Sequence, residues 1–171
     1  PNIKRAIIND NNLDLIRAYN TVRDRAKELI GELKKIQKEF LPLDEEERQE
    51  YFIERRDEFN ARLAGGLRHS ALFIFLNKTS NANYRTNGNG KFNGAYNHLI
   101  NPCICDERTI LADSKLLQRV TIVCGDYEKT YSEASGNTFF FLDPPYRPTG
   151  KRHSNTDFND KEQIRLKKFC D

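Results

Sequence analysis

Residues 138–146 read Thr138-Phe139-Phe140-Phe141-Leu142-Asp143-Pro144-Pro145-Tyr146. The apolar half, Thr138 to Leu142, is short, β-branched at its start and aromatic, which predicts a buried strand. Two consecutive prolines cannot continue a ladder, so the strand is expected to end at Asp143. By composition alone this Asp-Pro-Pro-Tyr tetrapeptide falls in well under about one in a thousand chains of this size. The plainer alternative is a rigid turn after a buried strand.

Two further short apolar runs have the same form. Ile3 to Ile8 leads into Asn9-Asp10, and Val120 to Cys124 leads into Gly125-Asp126. Three predicted strands thus each end in an acid: Asp10, Asp126 and Asp143. In open α/β sheets ligands sit at the carboxyl ends of strands, so three acids there point to one shared site. A single acid in such a place would be ordinary turn chemistry.

Between the first two runs the periodicity becomes helical. Leu13, Leu15, Ile16, Tyr19 and Val22, then Ala26, Leu29, Ile30, Leu33 and Ile36, predict a helix over 12–39, with Gly31 its weak point. Pro42 ends it. Asp44 followed by Glu45, Glu46 and Glu47 marks the next helix start. That helix carries Tyr51, Phe52, Phe59 and Leu63, and Gly65-Gly66 breaks it. A third helix, Leu67 to about Asn77, is apolar through its middle and is expected to be buried. Ala112 to Gln118 reads as a short helix, and Asn159 onward as another, with Ile164, Leu166 and Phe169 as its apolar positions.

The 171 residues fit one domain, with room for an insertion. Mean hydropathy is −0.77 and no apolar run approaches membrane-spanning length. The formal charge is only +3, but it is unevenly spread. Residues 64–105 hold four basic side chains and no acidic one, over a stretch of 42 residues. A polyanionic partner would account for this, as would a neutral polar loop. Within it, 77–101 contains eight asparagines, three glycines and three aromatics, the texture of a loop or irregular hairpin. Tyr84, Phe92 and Tyr96 argue that this loop is structured.

The Asp-Pro-Pro-Tyr group suits one kind of chemistry. The exocyclic amine of adenine is a poor nucleophile because its lone pair is delocalised into the ring. A carboxylate and a carbonyl that each accept one amine hydrogen return the lone pair to nitrogen. Asp143 supplies the first and the Pro144 carbonyl the second, and proline brings no competing N–H. Tyr146 offers a flat face for an unstacked base.

On these residues the chain resembles the Dam-type, SAM-dependent DNA adenine-N6 methyltransferases. Asn9-Asp10-Asn11 with Leu15-Ile16 and Tyr19 resembles the family's "D-x-N-x-x-L-I-x-x-Y" segment. Phe75-Leu76-Asn77-Lys78-Thr79, then Tyr84-Arg85-Thr86-Asn87 and Gly90-Lys91-Phe92-Asn93, resembles its target-recognition stretch, in the same order. The resemblance implies that Asp143, Pro144, Pro145 and Tyr146 are catalytic. It implies that Asp10 binds the ribose hydroxyls of S-adenosylmethionine, and that Asp126 and Tyr127 lie near its adenine. It further implies that duplex DNA is met by Lys78, Asn81, Asn83, Tyr84, Arg85, Asn87, Lys91, Phe92 and Asn93. Arg85 is the candidate reader of a guanine edge, Lys78 and Lys91 meet phosphates, and Asn81 or Asn83 fills the space of a flipped base. Two departures, Gly94-Ala95-Tyr96 after Asn93 and a segment one residue short between Lys78 and Tyr84, fall where target sequence is read. The family's GATC target is therefore not carried over.

The expected architecture is α/β: an incomplete Rossmann-like methyltransferase core with a mostly helical target-recognition insertion. Residues 1–39 form part of the cofactor core, 40–117 the insertion, and 118–171 the catalytic part with its loop and helix. The polar loop from Arg147 to Phe158 either closes over DNA or is a solvated loop. Against the family pattern the chain is short at both ends. The glycine-rich "FxGxG" loop and the "K-W-x-G-x-K" segment expected before the first strand are missing, and so are the later strands, which predicts an internal piece of a larger enzyme. Cys103-x-Cys105, Cys124 and Cys170 lack the paired spacing and histidine partners of a zinc site, so no metal is expected. Cys124 reads as core and His69 as structural on a buried helix. The unpaired cysteines fit a reducing cytoplasm, and no membrane segment is expected. Two alternatives stay open: an RNA or protein amino-methyltransferase, and a DNA- or cofactor-binding fragment without activity of its own.

Overall fold

A computed structural model of the chain describes residues 3, 5–63, 65–81, 86–87, 89–145 and 158–171. The chain packs as two compact units, Pro1–Asp126 and Tyr127–Asp171. The first is a mixed helix–strand unit. Its elements in order are β1 (Ala6–Asp10), α1 (Leu13–Phe40), α2 (Glu45–Ala61), α3 (Gly66–Thr79), α4 (Glu107–Leu117) and β2 (Val120–Cys124). Among the described residues, β1 and β2 form the one sheet, a parallel pair in register from Ala6 opposite Val120 to Asp10 opposite Cys124. Parallel neighbours need a crossover between them, and here the crossover is the whole helical body of the unit.

That body has one core. Leu29, Leu33, Ile36 and Phe40 of α1 meet Phe52 and Phe59 of α2, and Ala71, Leu72, Phe75 and Leu76 of α3. Phe92, Tyr96 and Ile104 enter from the following loop, and Ile110 from α4. Phe40, Tyr51 and Phe75 are mutually edge-on at centroid distances of 5.3–5.8 Å. The local start signals act as read. Asp44 caps α2 through a reciprocal box with Glu47, 3.0 Å each way. Asn159 caps α5 (Asp160–Cys170) by accepting from the Lys161 and Glu162 amides.

Several boundaries differ from the sequence expectation. The first strand begins at Ala6 and includes Asn9 and Asp10, because its ladder partner β2 fixes where pairing runs. The deviation in α1 lies at Arg25, with φ −135° and ψ 34°, while Gly31 stays helical. A helical Gly costs only about 1 kcal/mol, which the packed face around it offsets. The second helix stops at Ala61, where Arg62 turns left-handed at φ 55°. Leu63 therefore leaves the apolar stripe and is 89% exposed. The fourth helix begins at Glu107, five residues before the expected start, because Asp106 caps it with its side chain on the Thr109 amide. Cys124 is half-buried rather than core. His69 is buried on α3.

The largest correction concerns residues 138–142. They carry no strand, and Phe139 and Phe141 are 87% and 82% exposed. A buried strand takes its stability from a ladder partner and covered faces, and none of the described segments pairs with this one. Phe140 is the least exposed of the three rings, at 37%, and packs edge-on against Phe169 of α5 at 5.6 Å.

The loop after α3 is held by short-range pairing. Isolated bridges join Ser80 to Tyr96 and Thr86 to Phe92, both antiparallel. From Lys91 to Asn97 exposure alternates strictly: Phe92, Gly94 and Tyr96 point in, and Lys91, Asn93, Ala95 and Asn97 point out. Gly94 is required by space. A Cβ there would stand 2.7 Å from the Phe92 ring and 3.1 Å from the Ser80 Cβ. Gly94→Ala is expected to destabilise the fold by about 1–3 kcal/mol, read as a shift in urea midpoint at constant m-value.

Candidate functional site

Two strand ends make the first cluster. At the carboxyl end of the β1–β2 pair, the Gly125 amide donates to the Asp10 carbonyl at 3.0 Å, extending the pairing by one step. Gly125 sits at φ 129°, a backbone region that side chains rarely adopt, so the turn after β2 calls for glycine. The Asn9 amide crosses the same edge, its Nδ2 donating to the Gly125 carbonyl at 3.0 Å. The Asn9 Oδ1 is buried without a hydrogen-bond partner among the described residues. Asp10 is half-buried, and its Oδ1 accepts the Asn12 backbone N–H at 2.6 Å. Asp126 follows directly and is exposed. The structure therefore brings Asp10 and Asp126 to the same end of adjacent parallel strands.

Asn12, not singled out in the sequence, positions the Asp10 turn. Its side chain caps α1, accepting from the Asp14 and Leu15 amides at 3.0 and 3.2 Å. Asp10 and Asn12 together make a tight, pre-set turn from strand end to helix start. Asp14, also passed over, is 3% exposed. It accepts from Arg62 (3.1 and 3.3 Å) and Arg17 (3.4 Å), and lies 2.9 Å from His69 Nε2. His69 in turn stacks on Phe59 at 4.3 Å. An aspartate two residues before Ile16 looks like an ordinary first-turn acid in the sequence. Only the packing of α1 against α3 shows what it joins.

The second cluster lies along the loop after α3. Lys78, Asn81, Asn87, Lys91 and Asn93 are all exposed. Two sets of hydrogen bonds order the loop around them. The Asn81 amide donates to Ala95 O and the Asn97 amide to Thr79 O, both at 2.9 Å. The Asn87 amide donates to Lys91 O at 2.9 Å, and its side-chain oxygen accepts from the Asn89 and Lys91 amides at 3.0 Å. Gly90 closes this turn at φ 70°. Phe92 differs from its neighbours: it is 2% exposed and packs on Phe59, so it anchors the loop from inside and offers no face to a ligand. Burial raises the Tyr96 phenol above its usual range. Asn83, Tyr84 and Arg85 lie outside the described residues.

Asp143, Pro144 and Pro145 belong to the second unit. Asp143 and Pro145 are exposed and Pro144 is half-buried. The Pro145 carbonyl accepts from Gln163 Nε2 of α5 at 3.4 Å. Tyr127 opens a 3-10 turn (Tyr127–Glu133), a feature not expected from the sequence. Its ring meets Phe169 edge-on at 5.2 Å and lies under the Arg165 guanidinium at 4.7 Å. Tyr146 and residues 147–157 lie outside the described residues. Among the described residues no helix is long and apolar enough to cross a membrane.

Comparison with known sequences bears on what these clusters do. A family model described as D12 class N6 adenine-specific DNA methyltransferase matches residues 1–171. The chain is 44% identical, over 97% of its length, to the type II methyltransferase M.MjaIII of Methanocaldococcus jannaschii. It is 30% identical, over 96%, to the type II methyltransferase M1.LlaDCHI of Lactococcus lactis subsp. cremoris. It is 28% identical, over 91%, to a DNA adenine methylase of Vibrio cholerae. The chain spans 60%, 59% and 54% of these three relatives.

Proposed function

The chain belongs to the D12 class N6 adenine-specific DNA methyltransferase family, and from that premise we propose that the protein methylates the N6 amine of an adenine flipped out of duplex DNA. The observation that carries this is the family match across the whole chain, Asp143-Pro144-Pro145-Tyr146 included. The family implies S-adenosylmethionine as methyl donor, and the β1–β2 edge fits such a ligand. Asp10 is a carboxylate at the strand end, anchored by the Asn12 amide and suited to a vicinal diol. By the family resemblance, Asp126 and Tyr127 are assigned to the adenine of that cofactor. When bound, the sulfonium supplies an electrophilic methyl group.

The rest is done by the chain. Asp143 and the Pro144 carbonyl each accept an amine hydrogen, and Tyr146 stacks on the flipped base. Reaction then depends on holding the amine in line, a matter of positioning. Residues 40–117 serve target recognition, with Lys78 and Lys91 on phosphates and Asn81, Asn83, Tyr84, Arg85, Asn87 and Asn93 toward the DNA. Phe92 contributes by anchoring this loop. Residues 1–39 and 118–171 belong to an incomplete Rossmann-like core. A cytoplasmic location follows for an enzyme whose substrate is cellular DNA. Phosphate contacts make its binding fall steeply with salt.

The test is methyl transfer from labelled S-adenosylmethionine by the full-length protein, offered duplex DNA, RNA and protein in parallel. Label recovered as N6-methyladenine in duplex DNA is the expected result, and label in RNA or protein instead overturns the reading. Asp10→Ala is expected to weaken S-adenosylmethionine binding about 10–100-fold in calorimetric titration, the loss of charge-assisted hydrogen bonds. Duplex affinity should stay within about twofold.

A further inference from the structure

Arg48 of α2 holds the far end of the loop after α3 through the Leu99 and Ile100 carbonyls, and the stretch that carries Lys91 and Asn93 is fastened to the same helix by Asn60. Asn60, in the last turn of that helix, donates from Nδ2 to the Phe92 carbonyl at 2.9 Å and accepts the Phe92 N–H on Oδ1 at 2.8 Å. The side chain thus takes both backbone groups of one residue, as a neighbouring strand would. The fastening lies between the two outward residues: Lys91 precedes Phe92 and Asn93 follows it. Three observations show that this register has no slack. Phe92 is fully buried against Phe59, the residue before Asn60. Gly94 leaves no room for a Cβ against the Phe92 ring. Asn87 holds the far side, donating its N–H to the Lys91 carbonyl and accepting the Lys91 N–H on its side-chain oxygen.

Resting on the functional reading above, we propose that Asn60 is a positioning residue for target recognition, setting the register in which Lys91 and Asn93 are presented to DNA. It touches no substrate. A slip of one residue in an alternating segment exchanges its inward and outward sets. That would send Lys91 and Asn93 toward the core and Phe92 toward the duplex. Phe59 and Phe92 packing opposes such a slip by shape. The Asn60 amide opposes it by direction, because its donor and acceptor match only one carbonyl and one N–H.

The experiment compares wild-type protein with Asn60→Ala and Asn60→Asp. The second variant keeps the acceptor for the Phe92 amide and loses the donor to its carbonyl, so it covers the case in which Asn60→Ala fails to fold. Hydrogen exchange reads the loop itself, and mapping of N6-methyladenine in plasmid DNA reads target choice. Expected are faster exchange confined to 86–97, a KM for duplex raised about tenfold, S-adenosylmethionine affinity within twofold, and at least one relaxed position in the methylated motif. A folded variant with unchanged exchange, or one whose duplex KM and motif both stay as in wild type, overturns the role. A wild-type protein that binds duplex poorly and methylates none overturns the functional reading itself, and its exchange data still report whether the fastening exists.

Discussion

Asp143→Ala in the full-length protein should lower the single-turnover rate of adenine methylation by about 10³-fold or more, with S-adenosylmethionine and duplex affinities nearly unchanged. The size follows from what the carboxylate is asked to do. The amine must leave conjugation with the ring before it can attack, and two acceptors share that task. Losing the charged one removes an interaction that strengthens as positive charge builds on nitrogen, and a 10³-fold effect corresponds to about 4 kcal/mol. Asp143→Asn keeps a neutral acceptor and should fall between the two. Since Asp143 is exposed, neither change should lower the melting temperature by more than about 2 °C. A rate within tenfold of wild type for Asp143→Ala would remove this residue from the reaction and favour a binding role for the chain.

Legibility in the sequence followed the range of the interactions involved. α1, α2 and α3 were visible because apolar periodicity and local caps are written within a few residues: Asp44 with Glu47, and Pro42 after Phe40. β2 was visible as a short apolar run ending in Gly125-Asp126. The aromatics of 77–101 argued for a structured surface that meets DNA, but Phe92 and Tyr96 turn inward and anchor the loop from its buried side. What escaped depends on partners distant in sequence. Phe139 to Leu142 has the composition of a buried strand, but a strand is completed by its neighbours, and the described residues supply none. Leu63 matches the apolar stripe of α2 by count, yet the left-handed turn at Arg62 takes it out. Asn60 and Asp14 are single polar residues near helix ends, with partners 32 to 55 residues away. Their own neighbourhoods contain no trace of those partners.

Asp14 carries the largest expected effect on stability. Asp14→Ala should destabilise the Pro1–Asp126 unit by about 3 kcal/mol, at the lower end of the cost of breaking a buried charged pair. The reasoning turns on which partners can recover. Arg62 and Arg17 are partly exposed and can return to water. His69 is 2% exposed and stacked on Phe59, so its Nε2 loses a partner where water does not reach. Two secondary costs add to this. The first-turn carboxylate no longer meets the amino end of α1, and Arg62 loses the ion pair that accompanies its left-handed conformation. Asp14→Asn keeps an oxygen for His69 and should cost about half as much. For a unit of this size about 3 kcal/mol corresponds to roughly 10 °C in melting temperature. A double-mutant cycle with His69→Phe separates the terms: if the histidine is the main casualty, Asp14→Ala should cost far less in the His69→Phe background. Equal costs in both backgrounds would put the energy in the arginine pairs instead, and Asp14→Ala in high salt would then cost less than at low salt.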